Sequence, residues 1–184
     1  MDIFKSAERL MAMDDAAWAR HANPWSGYTR FLGSIPLFFA LWSMHWIGWW
    51  SLVPIGLMMV WTFVNPRLFP PPTQTTSWVT RGVLGERVFL NRKQIAIPAE
   101  HLIMARITTG ISALFFAGTI WAFVQQDLMT AIMSWSGTIL GKTWFVDRMA
   151  WLWDDMKASH PVYAAWDRAD WTASFAASHE NTTT

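Results

Sequence analysis

The sequence predicts an all-α membrane protein with four short transmembrane helices, paired as two hairpins, plus amphipathic helices at the membrane interface. Three observations predict this class. Residues 31–66 contain no Asp, Glu, Lys or Arg. A second stretch, 107–146, contains only Asp127 and Lys142 as charged residues. Finally, the chain holds 15 tryptophans among 184 residues, and tryptophan favours membrane–water interfaces, where its N–H finds a partner.

The overall composition agrees with this interpretation and excludes several other classes. Charged residues make up 15% of the chain, against about 25% in a typical soluble domain. The alternative, a soluble protein with a large aromatic core, would not need uncharged runs of this length. The chain has no cysteine, which excludes disulfides and cysteine-ligated metal sites. Its formal net charge of +1 gives no reason to expect nucleic-acid binding.

The first hydrophobic block, 31–65, is long enough for more than one crossing. One crossing takes about 20 residues, so the block is too long for one and somewhat short for two. A polar, glycine-containing break at 43–48 predicts spans at about 29–44 and 49–65. Each would be about 24 Å long, so aromatic ends or local bilayer thinning must cover the shortfall. The prolines expected to kink these two spans are Pro36 and Pro54.

The second hydrophobic block also reads as two crossings. Residues 107–124 form an uncharged span, and 125–127 form its turn. Residues 128–146 return, interrupted near their end by Lys142, whose ammonium can reach the headgroups. The alternative for this fourth span is a re-entrant or tilted interfacial helix. The chain therefore divides into five segments. They are an N-terminal interfacial helix (1–28), the first hairpin (29–65), a loop with a basic amphipathic helix (66–106), the second hairpin (107–147) and a C-terminal aromatic helix and tail (148–184).

The positions of the cations predict the orientation. All 14 lysines and arginines lie before residue 31, between 67 and 106, or after 141, and neither short turn carries one. Because cytoplasmic segments are enriched in these residues, both ends and the central loop are predicted to be cytoplasmic. The expected arrangement is therefore a membrane protein that crosses the bilayer several times, with both termini in the cytoplasm.

Three polar segments are predicted to contain amphipathic helices. Residues 3–18 and 77–90 place apolar residues on one face at helical spacing, which indicates helices that lie on the membrane. The second of these also carries several arginines, which favour anionic lipid. A C-terminal segment continues the fourth helix and adds an aromatic helix. The apolar positions are Phe4, Ala7, Leu10, Met11 and Trp18; then Trp78, Val79, Val83, Leu84 and Val88; then Leu152, Trp153, Met156, Tyr163, Trp166, Trp171 and Phe175.

Familiar catalytic and metal-binding motifs are missing from the sequence. There is no glycine-rich phosphate loop, no GxSxG, no HExxH and no pair of histidines at metal-ligand spacing. Haem held by facing histidines is disfavoured, because only His45 lies near a span. We therefore predict no metal and no cofactor, while a bound lipid is possible.

Polar residues from four separate segments are predicted to meet at the cytoplasmic ends of the helices. One interpretation is structural: arginines follow the positive-inside rule, and Asn-Pro pairs cap and start helices. The other is an anion site, where guanidinium groups grip a phosphate or carboxylate, and Glu86, Asp147 or His21 is available for proton transfer. Arg30 and Lys142 lie at the same level. The candidate binding residues are His21, Asn23, Arg67, Glu86, Arg87, Asp147 and Arg148.

The order of these polar motifs resembles an uncharacterised family of small bacterial membrane proteins. The resemblance covers roughly residues 10–156, and it implies a bacterial inner membrane but no activity. The motifs that carry it are Trp18, Arg20, His21 and Asn23-Pro24-Trp25; Asn65-Pro66-Arg67; Arg81-Gly82-Val83-Leu84-Gly85-Glu86-Arg87; and Trp144-Phe145-Val146-Asp147-Arg148-Met149.

Two functional hypotheses follow from the sequence. The first is an accessory or structural subunit that packs against other membrane proteins or against itself, because small residues permit close helix contact and mid-membrane charges are absent. The second is an enzyme or binding protein for an anionic lipid headgroup or phosphorylated small molecule at the cytoplasmic leaflet. The expected partners are membrane lipids and membrane protein subunits. The small residues in question are Gly33, Gly110, Gly118 and Gly137.

Overall fold

The computed structural model describes residues 13–173, which are mostly helical and contain no strand, so the all-α prediction is confirmed. The predicted positions before residue 13, together with Phe175 and the tail, lie outside the described residues. A short 3₁₀ turn, Gly48–Ser51, interrupts the series. The helices are α1 (Asp15–His21), α2 (Pro24–Trp42), α3 (Met44–Ile47), α4 (Leu52–Leu68), α5 (Trp78–Leu90), α6 (Ala99–Gln125), α7 (Leu128–Met156) and α8 (Pro161–Asp167).

The first hydrophobic block forms an antiparallel hairpin of α2 and α4. Buried Asn65 joins the two helices: it accepts a hydrogen bond from Ser26 Oγ at 2.9 Å and donates to Thr29 Oγ1 at 2.8 Å. The chain reverses through α3 and Gly48, whose φ of +56° favours glycine. The predicted break is therefore in the right place, although the helices cover 24–42 and 52–68.

The proline prediction for this hairpin is half right. Pro36 lies inside α2. Pro54 instead lies in the first turn of α4, where its missing N–H leaves no helical hydrogen bond unmade, so no kink is required there. Near the other end of α4, Pro66 lies inside the helix.

The second hydrophobic block forms a longer hairpin of α6 and α7. Its turn is the predicted one: Gln126 adopts a left-handed conformation with φ of 56°, and Asp127 caps α7 by accepting from Thr130 N at 3.1 Å. The two helices approach closely, because a Cβ at Gly141 would lie 2.9 Å from the Cα of Ser112. Glycine on α7 therefore sets the spacing of this hairpin.

The central helix α5 is buried, which corrects the prediction of a basic surface helix at 77–90. Ten of its residues are buried, including Arg87. Two glycines bring it against the backbone of α7: a Cβ at Gly82 would lie 3.1 Å from the carbonyl oxygen of Val146, and one at Gly85 would overlap that of Met149. Two of its arginines pair with acids of other elements, Arg81 with Asp154 of α7 and Arg87 with Asp15 of α1.

Burial divides the molecule into two regions. The large core joins α5, the end of α7, and α8; the largest side chains buried there are Trp153, Trp166 and Tyr163. At the opposite end, a smaller cluster around Phe38 and Trp42 joins the two hairpins near their turns. Between them, most large apolar side chains of α2, α4 and α6 point outward.

Two stretches within residues 13–173 are long and apolar enough to cross a membrane, Pro24–Leu68 and Ala99–Gln125, which suggests a membrane location. In their most apolar windows only 6% and 17% of the residues are buried, whereas the core helix of a soluble protein is mostly buried. The prediction of four spans is not supported by length and composition, because α7 does not meet this criterion. The first stretch contains the whole hairpin of α2 and α4.

Candidate functional site

A cavity of about 310 Å³ lies where α1, α2, α5 and α7 meet, on the same side of the molecule as the large core. Its walls are mostly apolar, and five polar side chains interrupt them. The apolar lining includes Met13, Trp18, Phe31, Pro66, Val79, Val83, Leu90, Ile139 and Val146, and the polar lining is His21, Arg30, Ser34, Glu86 and Lys142.

Helical spacing selects which residues reach this cavity. On α5 the lining residues are 79, 83, 86 and 90, and on α2 they are 27, 30, 31 and 34. The first set is spaced i, i+4, i+7, i+11 and the second i, i+3, i+4, i+7, and each spacing is that of a single helix face. Glu86 therefore faces the cavity, while the adjacent Arg87, about 100° further around the helix, faces away.

Arg30 and His21 form the buried polar pair of the cavity. Arg30 Nη1 lies 2.8 Å from His21 Nε2, and Arg30 Nε donates to the carbonyl oxygen of Ser26 at 3.2 Å. Because a guanidinium only donates, Nε2 must accept, which places the single ring proton of a neutral His21 on Nδ1. Nδ1 is buried and has no hydrogen-bond partner among the described residues.

Burial fixes the protonation state of His21. It lowers the pKa of this histidine well below its usual value, and the positive charges of Arg30, Lys142 and Arg67 lower it further. His21 is thus a neutral donor–acceptor, not a cation.

Glu86 and Lys142 form the second polar pair of the cavity. Lys142 Nζ lies 3.3 Å from Glu86 Oε1 and 4.6 Å from the ring centroid of Phe145. With His21 neutral, the described lining carries two cations, Arg30 and Lys142, against the single carboxylate of Glu86. The cavity therefore has an excess of one positive charge in a largely apolar setting, where electrostatic interactions are screened less than in water.

Two further candidates from the sequence, Asn23 and Arg67, have structural contacts. Asn23 caps α2: its Oδ1 accepts from Trp25 N at 2.9 Å, and its Nδ2 donates to the carbonyl oxygen of Pro70 at 2.9 Å. Arg67 donates to the carbonyl oxygen of Phe63 at 2.7 Å and lies over that ring. Neither lines the cavity, so the structural interpretation holds for Asn23.

The remaining three candidates also face away from the cavity. Buried Arg87 pairs with Asp15 and lies 3.8 Å over the ring of Trp166. Asp147 accepts hydrogen bonds from Arg148 at 2.7 Å and from the indole N–H of Trp78 at 3.1 Å. Of the seven predicted residues, the structure brings only His21 and Glu86 to one cavity.

Arg30 and Lys142 complete the cavity, although neither was among the seven. Both lie at the same predicted membrane level as the seven candidates. Residues that share a level still point in different directions around their helices. The helical spacing of Glu86 with Val83 and of Lys142 with Val146 was a signal in the sequence that could have identified the correct set.

One group of possible metal ligands lies elsewhere, at the start of α6. Glu100, His101 and Asp155 each offer a ligand atom, and these atoms lie within 4.8 Å of one another. His101 Nε2 already lies 2.8 Å from Asp155 Oδ2, which is an ordinary ion-pair distance. The prediction of no metal stays a prediction.

Acid is expected to destabilise the protein through His21. Below about pH 6.5 the unfolded chain takes up a proton that the folded chain does not, so the free energy of unfolding falls with pH, by up to about 1.4 kcal/mol per unit. Thermal unfolding between pH 7 and 5 measures this loss. His21→Gln, which keeps an acceptor for Arg30, should flatten the dependence, and His45→Gln at an exposed position should not. An unchanged slope in His21→Gln would contradict the neutral buried histidine.

Comparison with known proteins gives a family but no activity. A family of unknown function (DUF6653) matches residues 5–172, nearly the whole chain. No curated protein and no solved structure matches the chain.

Proposed function

Because the chain belongs to DUF6653, a family of unknown function, we propose a function from the cavity itself: the protein binds an anionic amphiphile at the inner surface of a membrane. The observation that supports it is one uncompensated positive charge among the described residues of an otherwise apolar cavity. An amphiphile with an apolar body and a single negative group complements both features.

The membrane arrangement in this proposal has four crossings. The two helices of the first hairpin contain 19 and 17 residues, about 28 and 26 Å, close to the ~30 Å of a bilayer core. The second pair is longer, and the first half of α7 exposes Met129 and Met133 at 69% and 70%. Outward apolar side chains on α7 favour a fourth crossing, despite its lower hydropathy.

The distribution of cations supports the orientation that we propose. Both ends and the loop containing α5 lie on the cytoplasmic side of a bacterial inner membrane, by the positive-inside rule. The cavity is then at the cytoplasmic leaflet, near the level of the lipid headgroups. A membrane lipid or a lipid-derived anion could enter it without crossing the bilayer.

Arg30 is the proposed anchor of the anionic group. Its Nη1 and Nε are directed to His21 and Ser26, and a guanidinium has five N–H donors in all, so donors remain for a carboxylate or phosphate oxygen. Lys142 supplies the second charge. The neighbouring Phe31 and Ile139 offer apolar contact to the hydrocarbon part of the ligand.

Thermal unfolding in a neutral detergent tests the binding proposal. Dodecyl phosphate should raise the unfolding temperature by mass action, and neutral dodecylglycerol or cationic dodecyltrimethylammonium should not. Glu86→Gln frees Lys142 from its partly exposed ion pair, so this variant should bind dodecyl phosphate about two- to fivefold more tightly. Equal shifts in unfolding temperature with all three amphiphiles, or weaker binding by Glu86→Gln, would contradict the proposal.

The role of accessory subunit stays a prediction, and one of its arguments is weakened. Gly33 faces Trp61, Gly118 faces Ser134 and Gly137 faces Phe115, all within the chain. Only Gly110, of the four small residues expected to contact partners, has open space around it. Purification in a mild detergent would show whether a subunit or a second copy accompanies the chain.

A further inference from the structure

A second cavity, of about 280 Å³, is lined by residues of α6 and α7. The two helices are the proposed third and fourth crossings, so this groove opens at the level of the bilayer. Its walls combine Ala113, Phe116 and Phe145 with the hydroxyl side chains of Thr109, Ser112 and Thr138, and the last two donate to backbone carbonyls within the hairpin. Lys142 lines this groove as well as the inner cavity.

Helix α7 forms the wall between the groove and the inner cavity. Thr138 and Phe145 line the groove, while Ile139 and Val146 line the inner cavity. At about 100° per residue, each pair shares one direction and the two pairs differ by about 100°. Lys142 projects between them, so its side chain stands at the edge that both spaces share.

The contacts of the Lys142 ammonium reach into both spaces. Its Nζ lies 4.6 Å from the ring centroid of Phe145, a groove residue, and 3.3 Å from Oε1 of Glu86, an inner-cavity residue. The side chain is 48% exposed, so the ammonium is accessible to a ligand from outside. Lys142 is therefore the one cation in the described lining of this groove.

We infer that the α6–α7 groove seats one acyl chain of an anionic membrane phospholipid, whose phosphate binds Lys142. The occupant follows from the charge of Lys142 at the edge of the groove, the aromatic rings in its walls and its place on two proposed membrane spans. A glycerophospholipid carries its phosphate next to its acyl chains, so a phosphate bound to Lys142 leaves one acyl chain beside the rings of Phe116 and Phe145. The inference rests on the proposed function for its membrane setting, and it adds a site that the inner cavity does not include.

Photo-crosslinking in nanodiscs tests this site on the full-length chain. Phosphatidylglycerol with a diazirine in one acyl chain should label residues 109–116 and 138–145 more strongly than it labels the rest of the apolar surface. Zwitterionic phosphatidylcholine with the same diazirine should label them less, by about fivefold for one lysine. Lys142→Gln should remove the preference for phosphatidylglycerol, and Lys142→Arg should keep it. Lys157 lines neither space, so Lys157→Gln should leave the preference unchanged.

A steric variant separates the groove from a charge effect. Ala113→Trp fills the groove and should abolish its labelling, and Ala117→Trp, at an exposed position of the same helix outside the groove, is the matched control. Labelling spread evenly over the apolar surface, or unaffected by Ala113→Trp, would overturn the groove site even if dodecyl phosphate binds the inner cavity. Groove labelling that persists in a chain that does not bind dodecyl phosphate would overturn only the proposed function.

Discussion

Replacing Gly85 with alanine is expected to cost about 3 kcal/mol of unfolding free energy or more, which is a large share of the total stability of a domain. The added Cβ would overlap the carbonyl oxygen of Met149 on α7. A backbone carbonyl within a helix cannot move aside as a flexible side chain can, so α5 must separate from α7. The core between these helices would open, and the measurement is the yield and unfolding free energy of the variant in detergent.

Two other glycines provide an internal scale for this effect. Gly82→Ala should be less damaging, because the overlapping atom on Val146 belongs to a side chain and the carbonyl oxygen lies 3.1 Å away. A Cβ added at Gly56 would have no neighbour within 4 Å, so Gly56→Ala should be neutral or slightly stabilising. If Gly85→Ala were as stable as Gly56→Ala, the packing of α5 against α7 described above would be wrong.

Replacing Arg30 with glutamine is expected to weaken binding of an anionic amphiphile about 10- to 100-fold, the usual contribution of a hydrogen bond to a charged group. Glutamine can still donate to His21 but carries no charge. The affinity of Arg30→Lys should fall between those of the wild type and Arg30→Gln, because lysine keeps the charge but lacks the planar set of N–H donors of arginine. Native mass spectrometry, which counts bound amphiphile per chain, measures the loss.

Arg148→Gln is the matched control for Arg30. Arg148 was one of the residues that membrane level alone predicted for the site, yet it pairs with Asp147 and lies over the Trp151 ring. Binding by Arg148→Gln should equal that of the wild type. If both variants bind equally well, the cavity is not the anion site.

The hairpins could be predicted from the sequence because their signals are local. The break at 43–48 and the turn at 125–127 are visible as polar residues between apolar runs, and both turns are in place. What the sequence could not show was which way α5 faces. Its arginines suggested lipid contact, but Arg81 pairs with Asp154, 73 residues away, and such pairing is invisible before the chain is folded.

The sequence predicted seven residues at one site, and the structure brings two of them, His21 and Glu86, to one cavity. Both residues lie at one predicted membrane level, and elements at one level can share a cavity. The same criterion could not exclude Arg87, because it ignores direction around a helix. The neutral state of His21 was also beyond sequence, because it depends on burial and on a hydrogen bond from Arg30.

Native mass spectrometry of the wild-type chain, extracted from bacterial membranes in a neutral detergent, tests the central claim most directly. The cavity should retain one anionic amphiphile per chain, in addition to the phospholipid inferred for the α6–α7 groove. The same preparation of Arg30→Gln should lose the cavity amphiphile and keep the groove phospholipid. A wild-type chain that carries only neutral lipid, or that releases anionic amphiphile no more slowly than Arg30→Gln does, would contradict the account.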